Sequence, residues 1–366
     1  MNAVDPNPVV SADLSTIASC GLDWTDLLGS TILITGGSGL LGSYLVKTFL
    51  NLNKVFGLNI HVICLTRSQH SIDKRLSSVL DNSKLEVILH DVSAPLPVDL
   101  PSADYVIHVA SQASPNYYGV DPVGTLSANT IGTANLLDYC YKRKCKRFLF
   151  FSSGEVYGVT QNQSEPITET DYGYIDPMKV RSCYAESKRM GENMCVAWSH
   201  QFGCHASIVR PFHTYGPGLS LDDGRVFADF VSDIVNKRDI VLKSDGLAKR
   251  SFCYLTDATI GFLTVLLHGS SGEAYNVGNP SSEVSMRDLA HILADLYPSL
   301  SIGVEYQSQL FEGHYLKSPI SRALPSISKM SALGWKPFVG IEEGFDRTIR
   351  SFLMDGLDNC LPRNCG

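Results

Sequence analysis

Apolar residues along the first 211 positions fall into short continuous runs rather than alternating ones. TILIT (31–35), HVICLT (61–66), LEVILH (85–90), YVIHVA (105–110), RFLFFSS (147–153) and ASIVRP (206–211) are such runs. Continuous β-branched and aliphatic stretches of this length suit strands covered on both faces. Between several of them the apolar positions recur at helical spacing, over Leu40–Leu52, Val123–Tyr141 and Tyr184–His200. Strand and helix patterns in alternation predict an α/β fold with a doubly wound parallel sheet, whose ligands bind at the carboxyl ends of the strands. After Pro211 the rhythm loosens. HTYGPG (213–218) and YNVGNP (275–280) are rich in turn residues, and helical patterns return at Arg225–Asn236 and Met286–Leu296. The expected division is an N-terminal extension over 1–29, an appended arm with a short helix around Asp13–Ser19; a nucleotide-binding domain over 30–208; and a smaller C-terminal α/β domain over 209–366. The last is mainly substrate-binding, with some segments returning to the sheet core.

Composition narrows the function classes. The chain has 366 residues, 44% of them apolar, and 30 Lys and Arg against 37 Asp and Glu, for a formal net charge of −7. That apolar fraction excludes wholesale disorder, and the acidic balance argues against a nucleic-acid partner. The basic cluster Lys142–Arg147 reads as a solvated helix end. Ten cysteines form no CxxC pair, and His200, Cys204 and His205 have no second ligand pair, so no metal is expected. Scattered cysteines in a chain of this size read as reduced thiols. MNAVDPNPVVSADLSTIA lacks the basic and apolar regions of a signal peptide, and no apolar run reaches about 18 residues. The expectation is a soluble, cytoplasmic protein with no membrane partner.

Directly after the first apolar run comes TGGSGLLG (35–42), with Gly36, Gly39 and Gly42 spaced G-x-x-G-x-x-G. Glycine is needed where the chain turns sharply, where backbone approaches a pyrophosphate, and where helix packs on strand. The helix starting there offers free N–H groups and its positive end to phosphates. Between a buried strand and a helix, the loop, with Ser38, Leu40 and Leu41 inside it, reads as a Rossmann-type dinucleotide site. The second strand ends on Thr66–Arg67–Ser68, where NAD sites usually carry an acidic residue. Arg67 beside a hydroxyl suits a 2′-phosphate and tilts the reading towards NADP over NAD. A surface arginine stacked on adenine is the other reading. Asp91 closes the third strand as a candidate for the adenine amino group, with Val92 beside it a further cofactor contact, and Ala110 and Ser111 end the fourth, where backbone lines the cofactor.

YAESK (184–188) sets Tyr184 and Lys188 four residues apart, on one helix face. An ammonium there lowers a tyrosine pKa, so that the tyrosinate can take a proton from a sugar hydroxyl while hydride leaves for the cofactor. With the glycine loop, the pair resembles the extended short-chain dehydrogenase/reductases. In that family Ser152 or Ser153 completes the triad, and Ser153 is the assigned member. ASQASPNYYG (110–119), NTIGTANLL (129–137), SSGEVYG (152–158), VRSCYAESKRMGE (180–192), RPFHTYGPG (210–218), DDGRVFADF (222–230), KRSFCYLTD (249–257) and SRALPSISKMSALGW (321–335) narrow the likeness. Together they resemble the UDP-glucuronate decarboxylases and their dTDP-glucose 4,6-dehydratase relatives within the NAD-dependent epimerase/dehydratase family. The likeness runs from about Thr31 to Phe352.

The resemblance implies a shared opening: Tyr184 deprotonates a C4 hydroxyl, NAD(P)⁺ takes the hydride, and a 4-keto sugar nucleotide forms. In a uronic acid the ketone makes the carboxylate β-keto, so CO₂ can leave. In a hexose it acidifies C5–H, which permits elimination or epimerisation. Dehydratases of the branch carry Thr-Asp-Glu and decarboxylases Thr-Ser-Glu where this chain has Ser153-Gly154-Glu155. Gly154 cannot protonate a departing hydroxyl, which disfavours 4,6-dehydration. Glu155 is implied as an acid or base near C5; a buried carboxylate holding backbone amides is its other reading. Arg322 matches the arginine that faces the sugar carboxylate. Arg225 and Arg250 match nucleotide diphosphate or ribose contacts, Ser114 a substrate contact and Pro211 a cofactor contact. His213 stands where the branch has an asparagine touching the nucleotide. The expected reaction is UDP-glucuronate decarboxylation. The alternatives are an epimerase, dehydratase or 4-ketoreductase and, remotely, a non-catalytic NAD(P)-binding sensor. The family further implies a UDP-sugar substrate, a homodimer through Val123–Tyr141 and Tyr184–His200, and a place in polysaccharide or glycoconjugate synthesis.

Overall fold

The computed structural model describes residues 4–162, 164–307 and 320–358. Its centre is a wholly parallel sheet of seven strands: β1 (Thr31–Thr35), β2 (His61–Thr66), β3 (Leu85–Leu89), β4 (Tyr105–His108), β5 (Arg147–Phe151), β6 (Ala206–Pro211) and β7 (Ala274–Val277). They lie in the order β7-β6-β5-β4-β1-β2-β3. Ile32 pairs with Val62 on one side and with Tyr105 on the other, so β1 sits between β2 and β4. The winding reverses there, and the crevice beyond the carboxyl ends of β1 and β4 is where such sheets bind ligands. Ile32, Leu33 and Ile34 are fully buried, which is why these strands read as unbroken apolar runs.

Helix α1 (Pro8–Ala18) precedes the sheet and α2 (Leu40–Phe56) follows β1. Gly57, at φ 66°, ends α2 in the left-handed conformation that glycine adopts without steric cost. A second core gathers the C-terminal elements. Helices Val226–Val235, Met286–Asp295 and Ile341–Asp358 bury Phe227, Phe230, Leu289, Leu293, Phe345 and Ile349. Tyr215, just beyond β6, stacks on Phe345 at 4.0 Å and so joins this core to the sheet. Among the described residues, no helix is long and apolar enough to cross a membrane. Among the same residues, no group of three or more His, Cys, Asp or Glu side chains could hold a metal ion.

Three expectations change. The pattern over Val123–Tyr141 is two helices, Pro122–Asn129 and Ile131–Arg143. They part at Thr130 (φ −112°, ψ −65°), whose hydroxyl donates back to the Leu126 carbonyl at 2.8 Å. YNVGNP is not wholly a turn, because Ala274–Val277 is the edge strand paired with Ile208–Pro211. Residues 4–29 are not an appended arm. Val10, Leu14, Ile17, Trp24 and Leu27 are buried in the main core. Asp13, fully buried, accepts from Tyr44 of α2 (2.6 Å) and from Tyr254 (2.7 Å), and pairs with Arg347 of the last helix (3.1 Å).

Candidate active site

The glycine loop is built as its spacing demands. Gly36 has φ +66°, and a Cβ there would lie 2.7 Å from the Ala110 backbone; a Cβ on Gly42 would lie 2.2 Å from the Gly36 carbonyl. Gly39 caps α2 with no side-chain bond, so the first N–H groups of the helix remain for a ligand. Ser38 Oγ meets Thr66 Oγ1 at 2.6 Å, fixing the loop to the end of β2. Ser111 Oγ is buried with no hydrogen-bond partner, a polar atom waiting on a ligand at the end of β4. A cradle closed to side chains and an orphaned hydroxyl fit a dinucleotide. Arg67 lies 3.6 Å from Asp91, both half-exposed. Val92 is buried against Gly132, where a Cβ would come within 2.8 Å of it. Arg75 was missed by sequence reasoning. It donates to the carbonyls of Ser38 (3.2 Å) and Gly218 (3.2 Å), tying the glycine loop to HTYGPG.

Helix Ser182–Phe202 carries Tyr184 and Lys188 one turn apart, both buried. Lys188 donates to the Phe151 carbonyl at 2.6 Å, and its Nζ lies 5.8 Å from the centre of the Tyr184 ring. The two serines after β5 separate cleanly. Ser153 lies close enough to the Tyr184 phenol to favour its anion, whereas Ser152 donates to Glu192 at 2.5 Å. Burial pushes Tyr184 up to about 12; Ser153 and Arg225 pull it down, and Glu155 pushes it up. Burial brings Lys188 down to about 7, against the pull of Glu192. Glu192 also accepts two bonds from Arg210 (2.8 and 2.6 Å), and Arg210 donates to Tyr157 (2.8 Å), which donates to Asn276 (2.5 Å). A satisfied buried network of this kind rigidifies the segment that presents Ser153 and Glu155.

Glu155 holds a side chain rather than backbone amides. Both its oxygens accept from Arg181, at 3.0 and 3.4 Å. Arg181 in turn lies 5.9 Å from the centre of the Tyr118 ring, which stacks on Tyr184 at 5.0 Å. A Cβ on Gly154 would meet the Phe212 ring at 3.1–3.3 Å, so any side chain there must displace that ring. Ser114 donates to the Asp223 carbonyl at 2.5 Å, and the Asp223 carboxylate pairs with Arg225, whose charge reaches Tyr118 and Tyr184. His213 Nδ1 is buried without a partner. Burial, with Arg250 and Arg225 nearby, keeps its ring neutral. Arg250 donates to the Ile320 carbonyl at 2.8 Å. Pro211 ends β6 beside Phe212, whose amide donates to the Val277 carbonyl. Arg322 is placed differently: it sits on the short strand beside Lys249–Ser251 and forks onto Glu283 (2.7 and 2.9 Å), with a third bond to the Ser164 carbonyl (2.6 Å). The structure thus gathers Tyr184, Lys188, Ser153, Glu155 and Arg225, and sets Arg322 on a glutamate.

Residues 32–278 match the NAD dependent epimerase/dehydratase family. The chain belongs to that family. Among its relatives, UDP-glucuronic acid decarboxylase 6 of Arabidopsis thaliana is 35% identical over 88% of this chain and 89% of its own length. UDP-glucuronic acid decarboxylase 1 of Xenopus tropicalis is 34% identical over 88% of this chain and 72% of its own. Of solved structures, UDP-glucuronic acid 4-epimerase from Bacillus cereus superposes with a TM-score of 0.75 at 22% identity, covering 88% of this chain and 99% of that one. That likeness is one of fold. As a member of the NAD dependent epimerase/dehydratase family with decarboxylase relatives along most of its length, the chain is an NAD-dependent nucleotide-sugar enzyme.

Proposed function

We propose that this enzyme decarboxylates UDP-glucuronate to a UDP-pentose. The observation that carries the reading is the pairing of Tyr184, buried on one helix face with Lys188, with a second acid–base group, Glu155, whose charge reaches it. The decarboxylase relatives support it, as does Gly154, which offers no acid for 4,6-elimination. A dinucleotide held by the glycine loop and Ser111 would supply the hydride acceptor and, later, the donor. Tyr184 takes the C4 hydroxyl proton, with Lys188 and Ser153 stabilising its anion. Once C4 is a ketone, CO₂ leaves with its electrons held as an enolate, and Glu155 delivers a proton to C5. His213 and Arg225 are placed to meet the nucleotide.

Arg322 enters this scheme by exchanging Glu283 for the sugar carboxylate, to which a guanidinium fork is equally suited. Arg67 at the end of β2 supports 2′-phosphate recognition and gives NADP⁺ the advantage over NAD⁺. Incubation with UDP-glucuronate and either cofactor, read by mass and proton NMR, is expected to give CO₂ and a UDP-pentose, faster with NADP⁺. Arg322→Ala is expected to cut that turnover by about 100-fold or more while cofactor binding persists. Normal decarboxylation by the variant would take Arg322 out of the site. An unchanged mass with a new sugar signal would make the enzyme an epimerase.

The reading extends to assembly and compartment. Val123, Ile131, Met190 and Val196 are exposed apolar residues on Pro122–Asn129, Ile131–Arg143 and Ser182–Phe202, which supports a homodimer through these helices. Light scattering is expected to give twice 40.0 kDa, and Val123→Asp with Ile131→Asp to give half that value. A monomeric wild type would rule the dimer out. The described cysteines are free, which supports a reducing, cytoplasmic setting.

A further inference from the structure

On the decarboxylation reading, Glu155 must meet C5 after CO₂ has gone. A glutamate at the edge of a site has rotamer freedom that spreads its carboxylate over several positions. The structure removes that freedom. Glu155 lies in the single turn Gly154–Tyr157, and one guanidinium engages both of its oxygens, with Arg181 Nη1 at 3.0 Å from Oε2 and Nη2 at 3.4 Å from Oε1. The two side chains are 17% and 27% exposed, so this is a largely shielded fork rather than a solvated surface pair of little worth.

Arg181 is also placed by the element that places the phenol. It is the N-cap residue of Ser182–Phe202, three positions before Tyr184. Its guanidinium lies 5.9 Å from the Tyr118 ring centre, and that ring stacks on Tyr184 at 5.0 Å and 18°. The Tyr118 hydroxyl is itself fixed, donating to the Ala113 carbonyl at 2.9 Å. Glu155, Arg181, Tyr118 and Tyr184 therefore make a continuous contact, in which one planar cation and one ring set the spacing between two acid–base groups.

We infer that Arg181 is a positioning residue for Glu155, holding the carboxyl group where C5 of the decarboxylated sugar is protonated. The carboxylate, ionised in its fork with Arg181, first takes a proton from water; the Glu155 O–H bond then breaks as the C5–H bond forms, the enolate π electrons supply the new bond, and the C4 ketone is restored. Arg181 stays cationic throughout and exchanges no proton. A lysine in its place reaches one oxygen rather than two and fixes the group less well.

The test is a single-turnover reaction on UDP-glucuronate with wild type, Arg181→Met, Arg181→Lys, Glu155→Gln and the Met/Gln double variant. The readout is the fraction of sugar nucleotide released as 4-keto pentose, with the cofactor left reduced, against finished UDP-pentose. Arg181→Met is expected to oxidise and decarboxylate at a rate of wild-type order, yet to finish about 100-fold more slowly and release the ketone. Arg181→Lys is expected to regain most of the finished product. In the Glu155→Gln background, Arg181→Met is expected to add no further loss, because it acts through the group already removed. Should Arg181→Met not fold, Arg181→Gln takes its place, and an unchanged partition in that variant overturns the inference. So does an equal slowing of oxidation and completion, or additive losses in the double variant. A wild type inert towards UDP-glucuronate overturns the decarboxylation reading, and the role of Arg181 falls with it.

Discussion

Tyr184→Phe is expected to abolish cofactor reduction by substrate, a loss of about 10²–10⁴-fold, while cofactor still binds. The substitution removes one hydroxyl and keeps the ring, so the stack on Tyr118 at 5.0 Å survives and the helix start is undisturbed. What disappears is the proton acceptor. Burial, against the pull of Ser153 and Arg225, leaves that phenol at about 12, too high to give up its proton near neutrality unaided, and Lys188 stands on the same helix face with its Nζ 5.8 Å from the ring centre. The measurement is absorbance of reduced nicotinamide after adding UDP-glucuronate, beside a titration of cofactor binding. An undiminished rate would remove Tyr184 from the chemistry.

Deleting residues 1–29 is expected to abolish folding rather than trim activity. Val10, Leu14, Ile17, Trp24 and Leu27 are buried in the same core as β1 and α2. At about 1.5–3 kcal/mol each, five such side chains contribute about 8–15 kcal/mol, comparable to the whole stability of an ordinary domain. Leu14→Ala alone is expected to cost about 2–5 kcal/mol in urea unfolding. Asp13 adds a signature in pH. Burial raises its carboxyl above 3.8 despite Tyr44, Tyr254 and Arg347, so the folded protein keeps this proton when the unfolded chain has lost it. Its contribution to stability therefore falls as pH rises from 3.8 through the folded value, and Asp13→Asn is expected to flatten that slope. A deletion variant that is soluble and melts like the full chain would show the segment to be dispensable.

The parts of the fold that were legible share one physical cause. A strand buried on both faces is apolar at most positions, so β1, β2, β4, β5 and β6 announce themselves as runs. β7 does not, because its Asn276 is buried with its side chain donating to the Ile167 and Ser326 carbonyls, and only tertiary partners make that polar residue acceptable. The break at Thr130 is equally silent, since both halves keep the helical period. In the site, the glycine loop and the Tyr184–Lys188 pair could be read because their geometry lies within one turn. Arg181 and Arg75 could not, because their partners, Glu155 and Gly218, are 26 and 143 positions away. The same blindness applies to Arg322, whose Glu283 is 39 positions distant. VRSCYAESKRMGE contains Arg181 and Glu192 in plain view, and nothing in the string says what either one faces.

The contact between Asp13 and Arg347 spans 334 positions. At roughly 5–20 residues per second, a ribosome takes about 17–67 s to make the intervening chain. For most of that interval α1 carries Leu14 and Ile17 with the helix Leu255–His268 still unmade, and for nearly all of it without Ile341–Asp358. A helix made before any strand of the sheet is thus among the last elements to be housed. A nascent-chain binder acting on the first twenty residues would be an early protector of the enzyme, well before any cofactor could bind.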